Sequence, residues 1–150
     1  MKIFLHITSA VIIFIATSQS TKGQTKSVDK ISCSIKFEST LNRKYYTSAD
    51  EMPTFRRGEN AMFKIIARNL KWPDADCCIQ GTVYVTFIIE PNGELTNRRI
   101  GHSPFRDNDV CSPNKEALKV LDYLTEWNPG KCGGKNVAIL YTLPIKFVLR

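Results

Sequence analysis

The sequence predicts an α+β domain in which a three-stranded antiparallel sheet, ordered 2-1-3, packs with two helices. Three observations carry this prediction: apolar and polar residues alternate over residues 81–90, they alternate again over residues 136–148, and apolar residues recur at helical spacing over residues 59–70. A period of two is typical of strands, and a period near 3.6 is typical of helices. The 150 residues accommodate one domain together with an export segment.

The first helix of the compact part is predicted between Glu59 and Leu70. Its apolar residues fall three and four positions apart, at Met62, Ile65, Ile66 and Leu70. The pair Trp72-Pro73 ends it, because the residue before a proline is pushed out of the α region.

The first two strands are predicted to form a hairpin. Residues 81–90 direct one apolar set to one face, made up of Val83, Val85, Phe87 and Ile89. Asn92-Gly93 supplies a tight turn, since both residues tolerate positive φ, and residues 95–100 return as the second strand.

A second helix and a third strand complete the predicted domain. Ser112 is expected to be the helix N-cap with Pro113 in the first turn, and Trp127 is expected to fill the core after the helix. The third strand covers residues 136–148, with one face formed by Val137, Ile139, Tyr141, Leu143, Ile145 and Phe147. Pro144 cannot donate a ladder hydrogen bond, which favours a position at the sheet edge or a bulge. A right-handed crossover places this strand beside the first one, at the edge of the sheet.

The N-terminus has the pattern of a secretory signal. Lys2 precedes an apolar stretch over residues 3–16, and small and polar residues follow up to Gly23. The stretch is shorter than the about 20 apolar residues that a membrane helix needs. We therefore predict a signal peptide over residues 1–23, with a short membrane anchor as the alternative, then an N-terminal extension or linker over residues 24–50 and one domain over residues 51–150. Within the extension, Ile31, Ile35 and Phe37 indicate one short strand, and a tether without structure is the alternative.

The charge and the cysteines set further limits. The formal net charge is +7, but the basic residues are scattered, so neither a basic stripe nor a nucleic-acid partner is expected. Five cysteines in an exported chain indicate disulfides. The two ends of the predicted hairpin are neighbours, which predicts a disulfide from either Cys77 or Cys78 to Cys111. A second disulfide is proposed between Cys132 and Cys33.

Catalysis and metal binding are not expected. No Cys-x-x-Cys pair accompanies His102, so a structural zinc site lacks its usual ligand spacing. A thiol nucleophile at Cys111 with His102 as base lacks a third group to orient the imidazole. The sequence therefore predicts no enzyme, no cofactor and no metal.

A series of short motifs, in order along the chain, resembles the C-terminal domain family of the energy transducer TonB, in the form typical of Bacteroidetes-like bacteria. The matching residues are Gly81-Thr82-Val83-Tyr84-Val85-Thr86-Phe87, Asn92-Gly93, Glu116-Ala117-Leu118, Trp127-Asn128-Pro129-Gly130, Gly134-Lys135 and Tyr141-Thr142-Leu143-Pro144-Ile145-Lys146-Phe147. Met52-Pro53-Thr54-Phe55 and Trp72-Pro73 also fit, although the family usually has Tyr-Pro at the second place. The resemblance covers residues 51–150.

The resemblance implies a periplasmic domain that binds the N-terminal box of TonB-dependent outer-membrane transporters. The box adds as a strand beside the last strand of the domain, so that main-chain hydrogen bonds give affinity and side-chain pockets give selectivity. Carried over to this chain, the partner-binding residues are expected at the last strand and at the flanking Trp72-Pro73. They are Trp72, Pro73, Val137, Ile139, Tyr141, Leu143, Ile145 and Phe147.

The sequence departs from a full transducer at its spacer. The residues between the signal and the domain contain no proline and reach at most about 100 Å when extended. Contact with inner-membrane motor proteins is expected only if residues 1–23 are retained as an anchor. The alternative is a stand-alone adaptor that uses the edge strand to form a homodimer and transmits no force.

Overall fold

The computed structural model describes residues 33–73 and 77–148. In these residues the chain forms nine strands, two α-helices and one 3-10 helix. The strands are β1 Ser34–Glu38, β2 Arg43–Ser48, β3 Thr54–Phe55, β4 Gly81–Ile89, β5 Leu95–His102, β6 Trp127–Asn128, β7 Gly130–Cys132, β8 Lys135–Val137 and β9 Ile139–Phe147. The helices are α1 Glu59–Asn69, α2 Asn114–Lys119 and the 3-10 helix Val120–Tyr123. The predicted α+β class is confirmed.

The central sheet has five strands in the order β1-β2-β9-β4-β5. The prediction of a three-stranded sheet with the last strand at its edge was wrong, because β1 and β2 form an antiparallel hairpin that joins the outer side of β9. Strand β9 is therefore the middle strand of the five. Strand β4 is antiparallel to both β5 and β9. Two further pairs, β3 with β6 and β7 with β8, lie outside this sheet. The limits predicted for the domain remain a prediction, although part of the extension belongs to the sheet.

The core lies between one face of this sheet and the helices. The predicted inward residues of β4 are all fully buried, and so are Leu143 and Ile145 of β9. Met62 and Ile66 of α1 join the same cluster. Trp127, which is 1% exposed, contacts the rings of Phe55, Phe87 and Tyr141. The expectation that Trp127 fills the core is confirmed.

Both helices lie where the sequence predicts them, but the start of α2 differs from the prediction. Helix α1 spans most of the predicted segment. Helix α2 begins at Asn114, and its N-cap position is occupied by Pro113 and not by the predicted Ser112. The Ser112 hydroxyl still accepts a hydrogen bond from the Asn114 N–H at 3.4 Å. Asn114 is buried, and its side chain bonds to Ser103, Phe105 and Asp107, so a local polar network holds this helix start.

The predicted last strand over residues 136–148 divides in two. Val137 belongs to β8, which pairs with β7, and Ala138 separates it from β9. The division follows from the turn between Cys132 and Lys135, where Gly133 and Gly134 have φ of 57° and 75°. Such φ values favour glycine and allow a two-residue hairpin turn. The prediction that Val137 lies in the last strand was therefore wrong.

Two disulfides fix the ends of this architecture. Cys77 bonds to Cys111, which confirms the predicted bridge and selects Cys77 over Cys78. Cys33 bonds to Cys132, 99 residues apart in sequence, and Cys78 is exposed and free. Among the described residues, no helix is long and apolar enough to cross a membrane. The predicted signal or anchor lies outside the described residues.

Candidate docking edge

Strand β9 has a paired side and a largely unpaired side. Its inner side pairs with β4 along its whole length, from Ile139 opposite Ile89 to Phe147 opposite Gly81. Its outer side meets β2 at a single position, where Tyr46 pairs with Ile139. In the part of the chain that the structure describes, no strand pairs with the outer side of residues 141–147. We call these residues the open edge.

The register determines which main-chain groups the open edge presents. The Tyr46 N–H donates to the Ala138 carbonyl at 2.8 Å, so Ala138 directs its main-chain groups toward β2. In a strand the N–H and C=O groups of successive residues point alternately to the two sides. The pairing of β9 with β4 has no irregularity. It follows that Thr142, Pro144 and Lys146 direct their main-chain groups outward, away from β4.

This register explains the position of Pro144. A proline in a strand is tolerated where its missing N–H would have pointed away from the ladder. Pro144 pairs with Tyr84 at such an outward position, so the contact with β4 loses no hydrogen bond. The open edge thus presents two N–H donors, from Thr142 and Lys146, and the carbonyls of all three outward residues.

The predicted partner-binding side chains are mostly turned away from solvent. Ile139, Leu143, Ile145 and Phe147 are at most 2% exposed and belong to the buried side of the sheet. The exposed side chains of the strand are Thr142, Pro144 and Lys146. Sequence reasoning missed these three, although the same alternation that identified the inward set also identifies them.

Helix α1 places one charged residue near the start of the open edge. At its start, Glu59 lies near Tyr141. The pKa of Tyr141 is raised, mainly by burial and secondarily by the nearby charge of Glu59. Phe63 lies four residues after Glu59, on the same flank of the helix, and is 51% exposed. Phe63 therefore adds exposed aromatic surface to α1.

Trp72 lies at the far end of the same edge. Its ring is 5.5 Å from that of Phe147, the last residue of β9, and its indole N–H donates to the Cys77 carbonyl at 3.3 Å. The side chain is 36% exposed, and the neighbouring Pro73 is partly buried. Trp72 therefore lies beside the end of β9, where the resemblance implied a flanking contact.

Four of the five cysteines are bonded in disulfides, and Cys78 is free. Cys111 is bonded to Cys77, so its thiol is not available to act with His102 as a nucleophile. His102 lies at the end of β5, with its ring 6.0 Å from that of Tyr84. Among the described residues, one group of metal-ligand type comes together, Cys33, Asp50 and Cys132, and its two sulfurs are joined to each other.

Comparison with known proteins gives one match. Residues 77–149 match the family model described as the Gram-negative bacterial TonB protein C-terminal. No curated protein and no solved structure matches the chain. The matched segment contains β4, β5, α2 and β9, and so it includes the whole open edge.

Proposed function

Residues 77–149 of this chain belong to the TonB C-terminal domain family, and we propose that the open edge binds the N-terminal box of TonB-dependent outer-membrane transporters by strand addition. Domains of this family are periplasmic interaction modules with a role in energy transduction for outer-membrane transport. The family assigns the general role. The contacts of this chain support the mode of binding proposed for it.

The observation that carries the proposal is the open edge itself. An unpaired strand edge offers a row of main-chain donors and acceptors that an extended segment satisfies by adding as a further strand. Here the inner side of the strand is held by β4, so the edge is already in strand geometry before a partner arrives. A preformed edge lowers the ordering cost that binding must overcome.

The two sides of the edge favour different side chains on the partner. On the side of the buried core, Tyr141 is half-buried and Trp72 exposes aromatic surface beside Phe147. On the other side, the exposed residues are Thr142, Pro144 and Lys146. Side chains of an added strand alternate between these two surroundings. The proposed ligand is therefore an extended segment that is apolar at every second position.

Titration with synthetic N-terminal peptides of transporters from the same bacterium tests the proposal. Pro144→Ala adds an outward N–H at the centre of the edge, which is worth about 1 kcal/mol, or roughly fivefold in affinity, when a partner carbonyl accepts it. Pro91→Ala is the matched control, since Pro91 is an exposed proline in the turn between β4 and β5. Tighter binding by Pro144→Ala alone supports the proposal, and absence of binding by any peptide contradicts it.

Strand β1, at one edge of the sheet, favours a second candidate function, that of an adaptor which forms a homodimer. Its Ile35 and Phe37 are 57% and 55% exposed. Pairing of two such strands would bury these side chains. Mass measurement in solution, repeated with Phe37→Lys, distinguishes the two: a dimer that this substitution dissociates supports the adaptor function.

Force from inner-membrane motor proteins can act on this domain only if the N-terminal segment anchors the chain in that membrane. Contact with inner-membrane motor proteins needs residues 1–23 as an anchor. The intact mass of the protein recovered from the periplasmic side tests this. A mass that lacks these residues supports an exported binding module without a motor.

A further inference from the structure

The β1–β2 hairpin occupies the sheet position beside β9 that an added strand would otherwise extend into. Strand β2 runs parallel to β9 and pairs with it at Tyr46 and Ile139. Two residues later β2 ends at Ser48, next to the point where the open edge begins. The hairpin therefore bounds the open edge at one end, while Trp72 lies at the other.

The hairpin is fixed at both of its own ends. At the open end, the disulfide between Cys33 and Cys132 ties it to β7. Near its tip, Arg43 makes two hydrogen bonds of 2.8 Å to the Glu90 carboxylate, which follows β4. The Arg99 side chain of β5 also reaches Glu38 at 3.4 Å.

The chain beyond β2 is also held, and it turns away from the open edge. Ala49 is fully buried. Glu51 and Lys131 exchange two main-chain hydrogen bonds, of 3.1 and 2.8 Å, and their side chains form an ion pair. Asp50 accepts a hydrogen bond from the Gly133 N–H at 2.7 Å. The stretch after the hairpin is therefore attached to the β7–β8 pair and leaves residues 141–147 uncovered.

From these contacts we propose that the β1–β2 hairpin is a register stop that limits an added strand to residues 141–147 of β9. The inference rests on the proposed function, because it concerns the same ligand at the same edge. The tethered hairpin prevents pairing at Ile139, so one end of the bound segment meets the end of β2 at Ser48. The hairpin thereby selects both the length and the register of the peptide that binds.

A register stop matters because a main-chain ladder by itself specifies register weakly. A slip by one residue moves every side chain of an added strand to the opposite face. With a fixed stop, the apolar positions of the ligand fall on the face of the sheet that carries Tyr141 and Trp72. After a slip by one residue they fall on the face that carries Thr142 and Lys146. The hairpin thus turns a generic edge into one that distinguishes between extended segments of similar composition.

The test uses transporter N-terminal peptides of increasing length with the intact, oxidised protein. Affinity is expected to rise until the peptide pairs with residues 141–147 and then to stay constant. Amide hydrogen exchange is expected to slow at Thr142 and Lys146 on binding, while the bond from Tyr46 to Ala138 persists. Slowed exchange that shows the peptide pairing at Ala138 in place of Tyr46 would overturn the inference.

Two variants release the stop in different ways. Arg43→Ala removes the tip clamp, and Tyr46→Pro removes the N–H that bonds to Ala138 while the disulfide is kept. In both, longer peptides are expected to gain about fivefold in affinity for each added main-chain hydrogen bond. The matched control is Arg98→Ala, which removes an arginine ion pair with Asp122 away from the hairpin.

The outcomes separate the two proposals. Binding whose length dependence is the same in the wild type and both release variants overturns the register stop and leaves strand addition standing. Absence of binding by every peptide overturns strand addition and the register stop together. A gain for longer peptides in the two release variants, with none in Arg98→Ala, supports the register stop.

Discussion

Replacement of Thr142 by proline tests the orientation of the open edge directly. The Thr142 N–H points outward, so Thr142→Pro costs the folded domain no hydrogen bond to β4, in the same way as Pro144 two residues later. In a complex the substitution removes one ladder donor and leaves a partner carbonyl unpaired. That loss is worth about 1–3 kcal/mol, or roughly 5- to 150-fold in affinity.

Two neighbouring substitutions make the result interpretable. Thr142→Val keeps the N–H and a β-branched side chain, so it is expected to bind as the wild type does. Leu143→Pro removes an inward N–H and a side chain that is only 2% exposed, so it is expected to abolish cooperative unfolding. Affinities are measured by calorimetry with one transporter peptide, and stabilities by thermal unfolding. Unfolding of Thr142→Pro as severe as that of Leu143→Pro would refute the assigned register, and unchanged affinity would refute the role of the outward N–H.

Three further predictions concern the core, the ion pair and the disulfides that hold the sheet in place. Trp127→Ala is expected to cost about 3–5 kcal/mol in denaturant unfolding, because it empties a fully enclosed aromatic cluster, and a cost below about 1 kcal/mol would contradict this packing. The hydrogen bonds from Arg43 lower the pKa of Glu90, so the pair stabilises the fold above the ordinary glutamate pKa and this contribution is lost as the pH falls through the lowered value. Glu90→Gln is accordingly expected to be less stable than the wild type by about 1–2 kcal/mol at pH 7, with the difference shrinking near pH 3, and a difference independent of pH would count against the pair. Thiol labelling without reductant is expected to modify Cys78 alone, and labelling of Cys111 would exclude the bridge.

The sequence predicted the elements whose side chains obey a simple period. Strand β4 alternates up to Phe87 because one face is buried against the helices, although Ile88 of the other face is buried as well. Helix α1 repeats at helical spacing because its Met62 and Ile66 enter the core. The Cys77–Cys111 bridge followed from hairpin geometry, since it joins two points that a hairpin must bring together. Local pattern and local geometry were sufficient in these cases.

The hairpin of β1 and β2 left a weaker signal. The spacing of Ile35 and Phe37 indicated one short strand, which is β1, but nothing indicated β2. The apolar residues of β1 are exposed, and of the six residues of β2 only Tyr45 is buried. Neither strand therefore shows alternation between a buried and an exposed face. What holds the hairpin is long-range: an ion pair over 47 residues and a disulfide over 99. Contacts of this kind depend on the finished fold and cannot be read from neighbouring residues.

For the candidate edge, the sequence identified the strand but not the residues that face outward. Pro144 indicated an edge strand or a bulge, whereas β9 lies inside the sheet and pairs with β2 only at Ile139. The chosen partner residues were the apolar ones, and most of these are committed to the core. The residues that face a partner are identified by the register, which depends on a single hydrogen bond from Tyr46 to Ala138. That bond comes from the hairpin that the sequence did not reveal.

The central claim is that the outer side of residues 141–147 receives an extended transporter segment. Titration of the domain with a transporter N-terminal peptide, followed by the backbone amide signals of β9, tests it most directly. The account predicts that the amide signals of Thr142 and Lys146 shift and that their exchange with solvent slows, while Leu143 and Ile145, already bonded to β4, change less. Unchanged signals at Thr142 and Lys146 under saturating peptide would contradict it.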